Sequence, residues 1–384
     1  MQPSHQRPAI SVEPVYGVDQ LAPCRPDWES LFDAAPNEPS SSYEWTDALT
    51  RSHFSAGDQF ILLKVRSGPD PIAFVPLVAR SERLVGMPVV TLAPISEWYN
   101  THSSILAREW TRDVADAVVD AVAGIGVRWD LFRMSRLLDE EPFLEHLRAS
   151  LAHRGRSFEI RQIDPSYFLA LPDSFDAFLA ARSAKFRNHL KRTRRKIEAL
   201  SSAKVVEWGQ LADFDEAYEM LLAVEKNSWK QANGTAITAI GRQTNFYRDM
   251  SRGAASFGRL QLHFLMIEGA PVAYNLGYVV GDRYSYLKTS FDERVRPLGA
   301  STYLRAHLVE SLIAQRMRWL DFPAEPYEWE RQWTETVRWH RSILIYNSTW
   351  TARLLSGINR VRRRPAAKPQ LAQRDARKPV PAGG

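Results

Sequence analysis

One cysteine, Cys24, stands in the whole chain, so an internal disulfide framework and a multi-cysteine metal site are excluded. It sits in the loop-like Pro23-Cys24-Arg25-Pro26, with no pattern that would activate a thiol. The nine histidines are equally uninformative as ligands. His102, His189, His263, His307 and His340 fall on different segments, without metal spacing, so no metal is expected. No Ser-His-Asp order with a nucleophile elbow is present. Long apolar runs are missing as well: none approaches the roughly 20 residues of a membrane span. MQPSHQRPAI lacks the apolar stretch of a signal peptide, so a cytoplasmic protein is expected.

What remains is ordinary folded-protein material, 45% apolar and 24% charged over 384 residues, enough for two domains. The formal net charge of +6 is unevenly placed. Arg360 to Gly384 holds eight Lys or Arg against Asp375 alone, which leaves the rest of the chain at −1. This Pro-, Ala- and Arg-rich tail (356–384) is expected to be disordered and suits an anionic membrane surface. A second basic run, Arg182 to Lys196, has eight Lys or Arg and no acid, with Phe186, Leu190, Thr193 and Ile197 as its inward stripe. So dense a charge repels itself and calls for an anionic partner. Candidates are a coenzyme A phosphate, an acyl carrier protein, a lipid-phosphate-linked sugar or RNA.

The order of elements repeats. After a loose amino terminus (1–12), helices are expected around Trp28–Phe32 and Tyr43–Leu49. A hairpin of Phe60–Val65 and Ile72–Val78 follows, then a strand at Val89–Ala93, a helix over Asp113–Ala123, a strand at Trp129–Met134 and a helix around Pro142–Ala152. The second half offers helices at Phe175–Leu179 and Ala184–Leu200, a strand at Val205–Trp208 and a helix over Phe214–Trp229. Three strands come next, Gln261–Ile267, Val272–Val280 and Tyr284–Phe291, joined by short polar turns. The reading is an α/β (α+β) protein of two tandem lobes, 13–160 and 161–355, each a mixed sheet flanked by helices, with a boundary near 155–165.

Only the second lobe follows its third strand with a glycine loop and a helix, Arg296-Pro297-Leu298-Gly299-Ala300-Ser301, whose Leu304, Leu308 and Leu312 mark an apolar face. A glycine loop entering a helix presents unpaired N–H groups and the positive end of the dipole, which hold a phosphate. In the first lobe Pro94 to Asn100 occupies that place and offers no such cradle. Arg296-x-x-Gly299-x-Ser301 resembles the pyrophosphate loop of GNAT acyltransferases, Arg/Gln-x-x-Gly-x-Gly/Ala, departing at Ser301. Over residues 15–350 the chain is similar to the CelD-type (cellulose biosynthesis protein) branch, which is FemAB-like in its two lobes. The likeness is carried by the basic stretch Ser183–Arg192, by Glu225-x-x-Ser228-Trp229-Lys230, and by Asp321-Phe322 followed by Tyr327. Glu328 stands where that branch usually has a lysine.

The resemblance implies acyl transfer from acyl-CoA, acetyl-CoA in the first instance, to an amine or hydroxyl. The acceptor it suggests is a small molecule or a glycan precursor of envelope polysaccharide. Cofactor contacts are then expected from Lys288, Thr289, Ser290 and Phe291 on the third strand and from Arg296, Leu298, Gly299, Ala300 and Ser301. Tyr327 is the candidate acid for the leaving thiolate, since a phenol (pKa about 10) stays protonated where a thiol (about 8.5) ionises. A tyrosine merely packed on Trp329 is the plainer account. Glu225 is the candidate base, while Trp229, Lys230 and Arg187 are expected at the acceptor or acyl group. Two rivals stand beside this reading: a FemAB-like aminoacyl transferase whose basic helix grips tRNA, and an inactive scaffold in polysaccharide assembly. A place at the inner face of the membrane, through the basic helix and tail, accompanies the cytoplasmic expectation.

Overall fold

The computed structural model describes residues 9–35, 38–96, 105–210, 213–323 and 326–361. The first eight residues, most of the loop from Pro94 to Asn100, His102 and the tail beyond 361 therefore lie outside the described residues. The first lobe opens with β1 (Ile10–Tyr16), earlier than the loose start expected to residue 12. Helices α1 (Arg25–Ala34) and α2 (Tyr43–His53) follow. A meander of β2 (Gln59–Ser67), β3 (Asp70–Leu84) and β4 (Met87–Pro94) comes next, with short β5 (Leu106–Ala107) beside β3. Then come α3 (Arg112–Ala123), β6 (Leu131–Leu138) parallel to β4, and α4 (Pro142–His153).

The boundary expected near 155–165 falls instead on a strand. β7 (Ser157–Ala170) pairs with both half-sheets, its apolar alternation changing phase between Ile160 and Ile163, just ahead of a shift in register with the neighbouring strand. The second lobe then repeats the plan. Helices α5 (Phe175–Ala180) and α6 (Ala184–Glu198) lead to β8 (Lys204–Glu207). The helix expected over 214–229 breaks at Asn227-Ser228 into α7 (Phe214–Lys226) and the single turn α8 (Trp229–Ala232). A helix absent from the sequence reading, α9 (Gly241–Ser256), precedes the antiparallel meander β9 (Leu260–Ile267), β10 (Ala270–Val280) and β11 (Arg283–Phe291). Helix α10 (Ala300–Ala314) and β12 (Trp319–Asp321), parallel to β11, match α3 and β6. The chain returns through β13 (Val337–Tyr346) and ends its described part in α11 (Trp350–Val361).

The strands run β1-β2-β3-β4-β6-β13-β7-β12-β11-β10-β9-β8, an order that reads the same way outward from its centre in both directions. The two halves meet at β13 and β7, which pair from Val337↔Tyr167 to Tyr346↔Ser157. They also share a core. Trp28, Trp45, Leu49 and Phe74 of the first lobe are buried in one cluster with Leu221, Phe246, Tyr247 and Tyr274 of the second. Truncating a residue such as Leu49 there costs about 2–5 kcal/mol, because the cavity cannot fully collapse. Helices α2 and α9 approach so closely that a Cβ on Gly253 would meet Glu44 Cβ at 2.5 Å. Glu44 is also bonded by Tyr278 and paired with Arg259 at 3.2 Å, which ties α2 to the second half-sheet. A further seam holds buried charge: Arg338 donates to Glu140 at 2.8 Å and Arg283 to Asp321 at 2.6 Å. It lines a cleft of about 590 Å³ together with Glu38, Glu141 and Trp110.

Candidate active site

β11 stays beside β12 for three residues only, Arg283, Tyr284 and Ser285. Past Ser285 the pairing with β12 ends, and among the described residues no strand pairs with Tyr286 to Phe291 on that side. On its other side β11 keeps β10, but Leu276 faces Lys288 while Gly277 faces Tyr286, so Leu287 is an extra, bulged residue. A bulge at this point turns the local backbone groups and is a common device beside ligand sites. Lys288, Thr289, Ser290 and Phe291 thus sit on a strand edge that begins at the bulge. Thr289 Oγ1 donates to Tyr274 C=O at 3.0 Å, and Ser290 is buried.

The chain then makes a 3-10 turn over Glu293–Leu298 and reaches Gly299 at φ 77°, the left-handed region that glycine occupies without steric cost. Helix α10 starts at Ala300 with no side-chain cap, so its first-turn N–H groups at Ala300 and Ser301 have neither an intrahelical nor a capping acceptor. Gly299 is pressed against the basic helix: a Cβ there would lie 3.0 Å from Thr193 of α6. Lys196 Nζ donates to Pro297 C=O at 2.9 Å and holds the loop to α6. Arg296 is largely exposed and pairs with Glu293 at 3.2 Å; Leu298 is half-buried.

Behind the edge lies a buried polar network. Glu225 is fully buried, and both of its oxygens are occupied: Oε1 accepts from Tyr274 at 2.7 Å and Oε2 from the Ile237 N–H at 2.8 Å. Lys230 approaches Glu225 at 3.8 Å and donates to Thr289 C=O on β11. Burial lowers the Lys230 pKa, with Glu225 opposing the shift. Burial, reinforced by Glu225, pushes the Tyr274 and Tyr247 phenols well above their usual range. Tyr327 also adds to the shift on Tyr247, so the two candidates for acid and base chemistry border one tyrosine. Tyr327 itself is half-buried and its ring stacks on Trp329 at 6.3 Å.

Not every expected residue converges here. Trp229 is 44% exposed at the start of α8, and Arg187 lies on the outer side of α6, donating to Arg182 C=O at 2.5 Å. Arg187 lines a separate groove with Phe175 and Leu179. Conversely, the sequence reading passed over Arg305 and Glu330. Arg305 is buried, its guanidinium 3.7 Å from the Trp329 ring centroid, and it donates to Ser301 Oγ at 3.0 Å. Glu330 is buried beneath Tyr327, accepts its N–H at 3.1 Å and is held well above the usual carboxylate range by burial. Four-residue spacing from Ser301 was the available signal for Arg305, but a charge on a helix reads as solvated until its neighbours are known. Five cationic-capable side chains, Arg182, Lys185, His189, Arg192 and Arg331, line an open cleft of about 700 Å³ between α6 and residues 331–336. Among the described residues no group of His, Cys, Asp and Glu is arranged to hold a metal, and no helix is long and apolar enough to cross a membrane.

Against known proteins, residues 184–331 match the family described as acetyltransferase (GNAT) domain, a span from the start of α6 to just past Tyr327. Comparison with curated proteins returned no match. Among solved structures the chain resembles FemX with a TM-score of 0.61 at 9% identity, over 90% of this chain and 100% of that one. It resembles a conserved Bacteroides thetaiotaomicron protein of unknown function with 0.55 at 13%, over 85% and 97%. For L-PGS from Bacillus licheniformis the values are 0.50 and 12%, over 88% and 97%. At such identities these likenesses establish the fold. Residues 184–331 match the GNAT acetyltransferase domain, and the chain as a whole shares the two-lobed fold of FemX.

Proposed function

We propose that this chain transfers an acyl group, acetyl in the simplest case, from acyl-CoA to an amine or hydroxyl on a small molecule or glycan precursor. The observation that carries the reading is the uncapped start of α10 behind left-handed Gly299, at the end of a strand edge that has parted from β12. The Ala300 and Ser301 N–H groups would receive the pyrophosphate, with Arg296 turning from its exposed pair with Glu293 to add charge. The pantetheine arm would lie along Lys288 to Phe291, where edge N–H groups polarise the thioester carbonyl. The acceptor attacks that carbon, the C–S bond breaks, and the departing thiolate takes the Tyr327 phenolic proton. Glu225 is closed to direct contact by its own hydrogen bonds and would act through Lys230. The buried lysine, in its neutral amine form, takes the acceptor's proton at the strand edge, and Glu225 stabilises the ammonium so formed. The CelD-type branch and a polysaccharide precursor as acceptor belong to this proposal and rest on the sequence resemblance.

Calorimetric titration of acetyl-CoA and longer acyl-CoAs into the wild type and Gly299→Trp tests it. Binding that the variant loses, with its circular dichroism unchanged, supports the donor class and the site. A second reading is favoured by the basic cleft beside α6: aminoacyl transfer from tRNA, with the acceptor unchanged in kind. It expects RNA binding that weakens steeply with salt and no affinity for coenzyme A. Absence of binding to either ligand would leave the scaffold role.

A further inference from the structure

Helix α11 packs on the end of the first half-sheet by one face only. Thr351, Ala352, Leu355 and Ser356 are buried there, Thr349 Oγ1 caps the helix by accepting the Ala352 N–H at 3.2 Å, and Asn359 donates to the Tyr346 hydroxyl at 2.8 Å. The opposite face carries Trp350, 70% exposed, and Leu354 one turn later, 46% exposed. Exposed Arg353 and Arg360 flank them. The tip of the β3–β4 hairpin lies near this helix, since Leu84 and Met87 pack against the same cluster as its buried Ala352 and Leu355. Its outermost residue, Val85, is 48% exposed and adopts φ 51°. A β-branched residue is at a disadvantage there, and glycine or asparagine would suit an ordinary hairpin tip better. Three of the six large hydrophobic side chains exposed among the described residues therefore gather at one end of the molecule, rather than scattering singly.

The charge of α11 and of the sequence after it, as far as Arg374, has one sign. From Asn347 to Arg374 the sequence carries Arg353, Arg360, Arg362, Arg363, Arg364, Lys368 and Arg374 and no acid. Arg83 on the same hairpin is exposed, and Arg128, next to the Asp130 that accepts from Thr349, is 70% exposed. An indole with aliphatic neighbours inside a ring of arginines matches the headgroup boundary of an anionic bilayer, where the ring sits at the interface and the cations meet phosphates. RNA would reward the arginines and the indole but gives Leu354 and Val85 no partner. We propose that the outer face of α11, with Val85 and the exposed arginines Arg353 and Arg360 beside it, docks this protein on an anionic lipid surface. Neither the apolar nor the charged element suffices by itself, since stable interfacial binding takes two signals.

The test is sedimentation of the full chain with vesicles of phosphatidylcholine alone or with about one-third phosphatidylglycerol, the latter attracting basic segments electrostatically. The protein is expected to pellet with the anionic vesicles and to remain in solution with the neutral ones. Trp350→Ser with Leu354→Ser is expected to weaken the partition by about tenfold or more, through lost apolar burial. Arg353→Gln with Arg360→Gln is expected to weaken it by about tenfold. Both variants should keep wild-type circular dichroism and acyl-CoA titration, because neither touches the second-lobe site. Equal pelleting with both vesicle types would overturn the proposal. So would wild-type pelleting by the Trp350/Leu354 variant, or tighter binding to an RNA oligonucleotide that the vesicles fail to displace.

Discussion

The two lobes place a helix after the same antiparallel meander, yet they finish its amino terminus in opposite ways. In the first lobe Thr111 precedes α3 and its Oγ1 accepts the Val114 N–H at 3.3 Å, so the protein satisfies that helix end itself. In the second lobe Gly299 precedes α10, offers no side chain, and leaves the first-turn amides without a side-chain acceptor. The strand that follows each helix shows the same contrast. After β12 the chain brings Tyr327 over Trp329 beside the Tyr247–Glu225 network. After β6 it brings Asp139, Glu140 and Glu141, which face the seam between lobes. One framework thus ends the corresponding helix closed in one lobe and open in the other, and the proposed function puts the donor site at the open end.

The hardest way to break this contrast is to remove the proton donor proposed for the second lobe. Tyr327→Phe is expected to lower kcat by about 100-fold or more while the KM for acyl-CoA stays within about twofold. An unchanged kcat would return Tyr327 to the plain role of a ring stacked on Trp329. Next in size is the first lobe's cap. Thr111→Ala should cost about 1 kcal/mol in a denaturant titration, through the lost Val114 N–H partner. Acyl-CoA binding should be untouched, and any weakening would mean that the first lobe takes part in the donor site.

The smallest effect is expected at the seam, where burial, with Glu38 adding, pushes the Glu141 carboxyl up to about 8. An acid whose folded pKa exceeds its unfolded value keeps its proton longer in the fold, so stability falls as pH rises from about 4.5 through about 8. The groups facing it, Arg338 and Glu140, act in opposite senses on that shift. Glu141→Gln removes this slope. Its melting temperature should equal the wild type's near pH 5 and exceed it by about 2 °C near pH 9. Parallel curves for the two proteins at all pH values would show that Glu141 does not titrate in this window.

Much of this was legible because hydrophobic periodicity is local. The stripe Phe186, Leu190, Thr193 and Ile197 was readable at helical spacing, and all four are buried. The β9–β10–β11 meander was readable from its short polar turns. What escaped depends on distant neighbours. Helix α9 escaped, and its Gln243 and Ser251 are buried by the packing around it. β13 escaped too, although its value lies in joining β6 to β7 across about 200 residues of sequence. At the site, the glycine loop was visible by spacing, whereas Arg305 looked like any helix charge until Trp329 and Trp333 enclosed it.

By itself the sequence determined the repeated order of elements, the confinement of the glycine loop to the second half, and the separation of a near-neutral body from a basic tail. Those properties follow from residue spacing and composition, which act over a few turns or a strand length. Only the tertiary structure decided that the lobes are joined through a shared central strand pair and a common aromatic core. It also decided that Glu225 is sealed by Tyr274 and Ile237, and that Trp350 and Leu354 stay exposed on α11 while its other face is buried. The physical reason is the same in each case: whether a polar atom is satisfied or an apolar face is covered depends on which distant surfaces packing brings together.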